Sequence, residues 1–382
     1  MFWRSNEVIL VGLGEPNRVP LGLSGSTATA QDVLASYSDG SEIERPGDGV
    51  VGFAALPFDR STPGTMLIPP VVILQSDDRR IVTTTDGTTL DDVSLLIDSI
   101  IASEPATSPR SITLELGRTA VEWRDDVVGR ARDRINQGEL EKVVLARLIR
   151  LHADSDFPLG RIVRDLARRF EHAHLFAIDG FVGASPELLV SRLGRVVRAH
   201  PLAGTAARRH DAEDDASQIS SLLSSAKDRT EHRITIDWLL AELLPFCSYV
   251  DAEPEPSVLT LANVHHLGTL VEGLLSEPAA SVLDLVAAVH PTPAVGGDPQ
   301  GSALALIQDL EGFDRGRYAG PAGWVDADGN GEFAVSVRTA QIDGPLATIA
   351  AGVGVVAQSD PDAELAETQA KFQAMLGTIL NV

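Results

Sequence analysis

Glu364, Glu367 and Lys371 stand near the end of the chain at a spacing that could hold a cation and an anion together. In an α-helix, positions i, i+3 and i+7 lie on one face, so two carboxylates and an ammonium would project to the same side. The preceding Ser359-Asp360-Pro361 is typical of a helix start. Carboxylate pairs of this kind occur on solvated helix faces as well as at metal sites, and spacing alone leaves both interpretations open.

A second carboxylate pair, Asp228 and Glu231 in KDRTEH, repeats the i, i+3 spacing inside a long helical stretch. Mg²⁺ prefers a few carboxylates, with water and substrate oxygens completing its octahedron. Two helices that face each other across a substrate could supply such ligands, although charged pairs are also common on exposed helix faces.

Lys142 and Glu187 are candidates for proton transfer. Lys142 stands in the predicted strand over 141–151 and shares a face with Val144 and Ala146. Burial there would favour the uncharged amine and make it a possible base, whereas an edge-strand lysine would point to water. Glu187 follows Ser185-Pro186 at a bend between strands, where it is either a turn residue or a general acid projected into a cleft.

Arg338 interrupts the apolar strand FAVSVRTA, where an unpaired cation is costly, so it needs a carboxylate that a substrate could provide. His266 in HHLGT is a candidate polar neighbour, although a lone histidine is more often structural. Glycines occur where backbone could approach a ligand closely, at Gly204-Thr205 and at Gly352-x-Gly354. Neither place has a nucleotide-binding glycine motif.

Helices and strands must bring these distant residues together. Helical patterns are predicted over 91–102, 124–138, 157–170, 212–244, 282–289 and 301–310 and after residue 360, and strands over 141–151, 258–270, 332–342 and 346–356, among others. Long β-ribbons interleaved with helices do not have the βαβ order of a doubly wound fold. The fold class predicted from this pattern is α+β.

Composition limits the possible partners and compartment. The net charge of −23 disfavours nucleic acid and anionic membrane as partners, and it requires a local cation cluster or a metal if the substrate is an anion. No apolar run is long enough for a membrane span, and no signal peptide is predicted. The single cysteine, Cys247, excludes an intramolecular disulfide and favours a cytoplasmic protein. We expect a monomer.

Ten segments, taken in order, resemble the chorismate-utilising enzymes: KVVLAR, GASPELLV, PLAGTAAR, KDRTEH, HHLGT, HPTPAVGG, RGRYAGPAGW, FAVSVRTA, AGVGVV and ELAETQAK. The resemblance covers residues 130–382 and is specific as a set. It implies one large domain over 1–382, with a variable N-terminal part (1–125), in which two packed β-sheets carry helices outside and a cleft between them.

The resemblance also implies roles for individual residues. It implies that Glu231 and Glu367 bind Mg²⁺ directly, while Asp228 and Glu364 hold its waters. It implies that chorismate is held by Gly204, Thr205, His266, Ala294, Tyr318, Arg338, Gly352, Gly354 and Lys371. In the implied reaction Lys142 takes a proton from the water that attacks ring carbon 2, and Glu187 protonates the hydroxyl leaving carbon 4.

Within this family, HPTPAVGG is similar to the isochorismate synthase branch, because Ala294 stands where anthranilate synthases carry threonine. PLAGT has Ala203 where aminodeoxychorismate synthases carry a lysine nucleophile. The expected activity is conversion of chorismate to isochorismate, without a glutaminase subunit, for menaquinone or siderophore synthesis. A salicylate synthase, which would go on to eliminate pyruvate, is the alternative.

Overall fold

The structure is a computed structural model that describes residues 1–24, 27–37, 45–76, 78–85, 87–102, 107–209, 211–261 and 264–381. Its helices are α1 Ala28–Ser36, α2 Leu90–Ala102, α3 Ala120–Glu122, α4 Arg130–Asn136, α5 Leu159–Arg169, α6 Ala212–Ser224, α7 Ala226–Leu243, α8 Val282–Val289, α9 Gln300–Glu311 and α10 Pro361–Ile379. A π-helical segment, Trp123–Gly129, joins α3 to α4, and a 3-10 turn, Leu244–Phe246, follows α7.

The strands are β1 Phe2–Arg4, β2 Ile9–Leu13, β3 Asn17–Leu21, β4 Val51–Ala55, β5 Gly64–Ile68, β6 Val71–Gln75, β7 Arg80–Thr84, β8 Ile112–Leu116, β9 Lys142–Ala153, β10 His174–Ile178, β11 Phe181–Ser185, β12 Leu188–Leu193, β13 Val196–His200, β14 Leu202–Ala207, β15 Cys247–Ala252, β16 Ser257–Thr260, β17 Val264–Gly268, β18 Val271–Leu275, β19 Gly297–Asp298, β20 Pro321–Asp326, β21 Gly331–Val335, β22 Thr339–Asp343 and β23 Leu346–Val355.

These strands form an 11-stranded sheet, a 9-stranded sheet and a small 3-stranded sheet. The largest has the order β19-β9-β23-β22-β11-β10-β1-β2-β6-β7, with β8 also paired to β9. The second has the order β15-β18-β13-β12-β21-β20-β4-β5-β3, and the third is β14-β17-β16. The predicted α+β class is confirmed. The small third sheet, which lies beside the site described below, was not predicted.

Two of the connections that carry the chain from one large sheet to the other bear predicted site residues. Pro186 and Glu187 link β11 to β12, and the link from β21 to β22 contains Arg338. The predicted single strand over 332–342 is therefore wrong. Arg338 has φ of 55°, a left-handed conformation that ends the extended segment.

The predicted helix over 212–244 is also divided in two. Ser225 is extended, with φ −66° and ψ 112°, and its side chain accepts a hydrogen bond from the Asp228 N–H. Serine is a favoured N-cap residue because this bond satisfies a free amide in the first helical turn. KDRTEH consequently begins a helix, α7, rather than lying inside one.

The predicted terminal helix is confirmed as α10, with Asp360 as N-cap and proline at its start. Helix α10 packs on β23, and α7 packs on β14 and α8, so these helices approach the site from different sides. Strand β9 is paired with β23 from Val143 to His152 and places Lys142 at its first position.

Strands from the N-terminal third belong to the same sheets as the motif-bearing region. Strand β1 pairs with β10 in the largest sheet, and β4 pairs with β20 in the second. Cys247 is buried. In the described ranges, no helix has the length and apolar character needed to cross a membrane.

Candidate active site

A cavity of about 100 Å³ lies where the three sheets and two helices meet. Strands β9 and β23 supply one wall, the links between the large sheets supply another, and the small sheet, α7 and α10 close it. Most of the predicted site residues line it: Glu187, Gly204, Thr205, Glu231, His266, Ala294, Tyr318, Arg338, Gly352, Gly354, Glu367 and Lys371.

Lys142 lies behind the cavity lining and contacts Glu231, whose side chain lines the cavity. Its Nζ lies 2.7 Å from Glu231 Oε1, and the lysine side chain is 1% exposed. The alternative of a lysine pointing to water is therefore wrong. A Cβ on Gly354 would lie 2.9 Å from Glu231 Oε1 and 3.1 Å from Lys142 Cε, so glycine at this position leaves room for the ion pair.

Glu187 lines the cavity from the link between β11 and β12, and its carboxyl group is buried. Burial raises its pKa to about 7, and the backbone N–H of Leu202 and the charges of Arg338, Lys142 and Lys371 only partly offset that rise. Its Oε1 accepts from the Leu202 N–H at 3.4 Å, and its own N–H donates to Ser185 Oγ at 3.2 Å. A carboxyl group with this pKa carries a proton in a large fraction of molecules at neutral pH, which suits a general acid.

Arg338 and His266 form a buried pair in the lining of the cavity. Arg338 Nη2 donates to His266 Nε2 at 2.8 Å. Burial, followed by the charges of Arg338 and Lys371, lowers the pKa of His266 well below its usual value, so the ring is neutral and can accept this bond. Burial lowers the pKa of Arg338 to about 10, which still leaves it charged at neutral pH.

Tyr318 and Lys371 both meet the backbone of β23 at Gly352. Lys371 Nζ donates to Gly352 O at 2.9 Å and lies 2.8 Å from Glu367 Oε1. A Cβ on Gly352 would lie 3.0 Å from Tyr318 Oη. Burial raises the pKa of Tyr318 to about 12, so its hydroxyl keeps its proton and can donate to an anion.

The carboxylates chosen as metal ligands occupy different surroundings. Glu231 and Glu367 line the same cavity, and each is held by a lysine. Glu364 is 4% exposed on α10, and Asp228 lies beside Gly204, where a Cβ would meet Asp228 Cβ at 3.0 Å. Across the described ranges, no three acidic, histidine or cysteine side chains are grouped closely enough to hold a metal alone.

The donor set nevertheless fits Mg²⁺. This ion is commonly bound by one or two carboxylates, with waters and substrate oxygens as its remaining ligands. Two carboxylates from two different helices reach one cavity here. Glu231 and Glu367 are therefore of the type and number that Mg²⁺ accepts as protein ligands.

The buried pair of Glu311 and Arg315, which bonds to the backbone beside the cavity, was not predicted from the sequence. Arg315 Nη2 lies 2.5 Å from Glu311 Oε1, and the pair is almost fully buried. Arg315 also donates to Val144 O at 2.7 Å and to Val295 O at 2.8 Å, and so joins β9 to the loop that carries Ala294. The i, i+4 spacing of opposite charges was the available signal, but it is common on exposed helices.

Comparison with known proteins agrees with this geometry. A family model described as "Chorismate binding enzyme" matches residues 1–380. An isochorismate synthase of Bacillus subtilis is 41% identical over 254 residues, which are 64% of this chain and 64% of that protein. A vibriobactin-specific isochorismate synthase of Vibrio cholerae is 33% identical over 86% of this chain and 79% of its own length.

A solved structure shows the same architecture across almost the whole chain. The menaquinone-specific isochorismate synthase of Escherichia coli superposes with a TM-score of 0.82 at 26% identity, covering 99% of this chain and 88% of that one. The match to the family model extends over both the N-terminal third and the region that builds the cavity. This chain belongs to the family of chorismate-binding enzymes.

Proposed function

We propose that this protein is an isochorismate synthase, an isomerase that converts chorismate to isochorismate with the help of Mg²⁺. The observation that carries the proposal is Glu187, a buried carboxyl group with a pKa of about 7 in a cavity that is also lined by Glu231, the partner of Lys142. Similar proteins named as isochorismate synthases support the choice of reaction.

The cations around the cavity suit the two carboxylates of chorismate. We assign the enolpyruvyl carboxylate to Arg338, Tyr318 and the backbone at Gly352 and Gly354, since a charged guanidinium and a protonated phenol converge there. The ring would lie against Gly204, Thr205 and Ala294. His266 would keep Arg338 oriented through the 2.8 Å bond between them.

Mg²⁺ would be held by Glu231 and Glu367, with Asp228 and Glu364 positioned to hold its waters. When bound, it would supply positive charge to neutralise the carboxylate on the chorismate ring. Lys371 remains close by through its contact with Glu367. These local cations would offset the repulsion between an anionic substrate and a chain whose net charge is −23.

The reaction exchanges one hydroxyl position for another. In this assignment Lys142 is the base that accepts a proton from the water whose oxygen bonds to ring carbon 2. The ring double bonds shift, the bond from carbon 4 to oxygen breaks, and Glu187 gives its proton to the departing hydroxyl, which leaves as water. Water is consumed and released, so the product is an isomer of the substrate. Both side chains then exchange protons with solvent.

Product analysis tests the proposal. Purified protein is incubated with chorismate, first with Mg²⁺ and then with EDTA, and the products are separated by chromatography. Isochorismate as the only Mg²⁺-dependent product is the expected result. Salicylate and pyruvate would replace the assignment by a salicylate synthase, and the absence of any turnover would contradict an enzymatic role.

The proposal includes a monomer in the cytoplasm that works without a glutaminase subunit. A single free cysteine is in keeping with a reducing compartment. The similar proteins include one named for vibriobactin and one named for menaquinone, so isochorismate made here would serve siderophore or menaquinone synthesis.

A further inference from the structure

A second cavity, of about 130 Å³, lies on the edge of β9 away from the candidate active site. It is lined by Gly117, Arg118, Trp123, Ala146, Arg147, Leu148, Arg150, Glu311, Gly312 and Phe313. The two cavities share no lining residue. The second cavity is therefore a separate feature of the fold.

This cavity exists because one edge of β9 is not covered continuously by a strand. On that edge, β19 pairs with β9 only at Lys142 and Val143, and the pairing of β8 with β9 begins only at Ile149. Side chains bond to the backbone between them: Ala146 N–H donates to Glu311 Oε1 at 2.7 Å, and Trp123 Nε1 donates to Ala146 O at 3.2 Å. Side chains fill an edge less completely than a paired strand would, and this leaves a space.

Three arginines line this space in a strongly acidic protein. Arg150 is paired with Glu115 at 2.9 Å. Within the described part of the chain, neither Arg118 nor Arg147 forms an ion pair with a carboxylate. The one acidic group in the lining, Glu311, is already engaged by Arg315 and by Ala146 N–H. Arg118 is offset only at longer range, by Glu122, whose pKa it helps to lower, and Arg147 has no carboxylate within ion-pair distance among the described residues, so the cavity keeps an excess of positive charge.

Arg147 is the most informative of these cations. It is 8% exposed and sits between the rings of Trp123 and Phe372, with its guanidinium carbon 5.5 and 5.8 Å from their centroids. Its Nη1 donates a hydrogen bond to the neutral Thr368 Oγ1 at 3.2 Å. Burial without a carboxylate lowers the pKa of Arg147. A buried guanidinium favours a planar or tetrahedral oxyanion that it can bind through two N–H groups.

We propose that this cavity binds a small oxyanion, a carboxylate or a phosphate, between Arg118 and Arg147. The aromatic rings of Trp123 and Phe313 in the lining would also accept a flat apolar body attached to the anionic group. A cavity of roughly 150 Å³ holds one benzene molecule, so about 130 Å³ is suited to a compact ligand. Glu311 connects this site to Arg315, and through it to Val144 O and Val295 O beside the main cavity.

Titration calorimetry with benzoate and, separately, with inorganic phosphate tests the site at constant ionic strength. The background is the full-length Arg338→Ala protein, which lacks the guanidinium assigned to anion binding in the main cavity. We expect one saturable site per chain, weakened at least tenfold by a further Arg118→Ala or Arg147→Gln change. Arg130→Ala is the matched control, because Arg130 is exposed and pairs with Asp309 outside this cavity.

The two probes identify the ligand chemistry. Binding of benzoate alone would mean that the rings contribute, and binding of phosphate as well would mean that the oxyanion is sufficient. Absence of saturable binding of both probes in the Arg338→Ala protein would overturn the proposal, as would binding that Arg118→Ala leaves unchanged. Arg118 is partly exposed, so its variant keeps the test valid if the Arg147 variant does not fold.

Discussion

Glu187 has the clearest chemical assignment at the scale of single residues. Its carboxyl group is buried among apolar and cationic neighbours, and the desolvation exceeds the stabilisation from those cations. A carboxyl group in this state can donate a proton near neutral pH, which an exposed glutamate with an ordinary pKa does poorly.

Glu187→Gln should lower kcat by about 10²- to 10⁴-fold, the usual contribution of a positioned acid. Chorismate binding should change little, because glutamine keeps the size and polarity of the side chain. Steady-state kinetics and calorimetric binding measure the two effects. Glu272→Gln, on an exposed strand position, is the control, and a Glu187→Gln enzyme with wild-type kcat would remove Glu187 as the acid.

Glu367→Gln should weaken Mg²⁺ binding by at least about 10- to 100-fold, the loss that follows even when a group that only orients a metal ligand is removed. The charge that attracts the cation is lost, while Lys371 remains. Calorimetric Mg²⁺ titration and the Mg²⁺ dependence of turnover are the measurements. Asp362→Asn on the exposed first turn of α10 serves as comparison. Identical titrations for the Glu367 variant and the wild type would exclude Glu367 as a ligand.

At the scale of elements, β23 controls how closely the site residues approach one another. Its two glycines face different partners: Gly352 faces the Tyr318 hydroxyl, and Gly354 faces the pair of Lys142 and Glu231. A side chain at either position would fill space that these polar groups now occupy. The absence of side chains at these two positions of β23 therefore allows the polar groups to lie close to the strand.

Gly354→Ala should reduce turnover strongly, because its Cβ would lie 2.9 Å from Glu231 Oε1 and force the ion pair apart. Gly301→Ala is a suitable control, since nothing lies within 4 Å of its added Cβ and it stands in α9. That change should raise stability by roughly 0.5–1 kcal/mol. Kinetics and thermal unfolding of both variants decide the matter, and full activity of Gly354→Ala would contradict the crowding argument.

At the scale of the whole molecule, the N-terminal third is connected to the sheets that carry the site. Trp3 on β1 is fully buried, and its Nε1 donates to Glu332 Oε2 at 3.0 Å across the two large sheets. Trp324 donates to the same oxygen at 3.3 Å. These contacts favour cooperative unfolding of the two parts.

Trp3→Phe should lower the free energy of unfolding by about 1–3 kcal/mol, because a buried acceptor loses one of its donors. Urea unfolding followed by circular dichroism should show a single transition at a lower midpoint. Tyr249→Phe, at an exposed hydroxyl, should leave the midpoint nearly unchanged. Two separate transitions in the Trp3 variant would argue for independently folding parts.

Stability should also depend on pH through Glu187. Its pKa is raised from 4.5 to about 7 in the folded protein, so the folded state binds the proton more tightly than the unfolded state. This contribution is fully present below about pH 4.5 and is lost as pH rises through about 7. As pH rises from about 4.5 to about 7, the melting temperature of the wild type should therefore fall relative to that of Glu187→Gln. A difference independent of pH would contradict the raised pKa.

The sequence by itself determined a large part of this protein. Residue type and spacing predicted α10 with its start at Asp360 and the burial of Lys142 as one alternative. They also predicted that Arg338 needs a carboxylate, whereas the structure pairs it with the neutral His266. The α+β class also followed from local patterns. These properties depend on helix and strand periodicity and on capping, which nearby residues control.

Tertiary structure decided the rest. Only the fold shows that Lys142 pairs with Glu231, that His266 accepts from Arg338, and that Glu311 and Arg315 brace the site. It also divided predicted elements at Ser225 and near Arg338, and it replaced the predicted strand over 258–270 by the antiparallel strands β16 and β17. These contacts join residues that are far apart in the chain, or depend on which sheet a strand enters, and local periodicity carries no information about either. The physical reason is that burial and partner distance are set by packing of the whole chain.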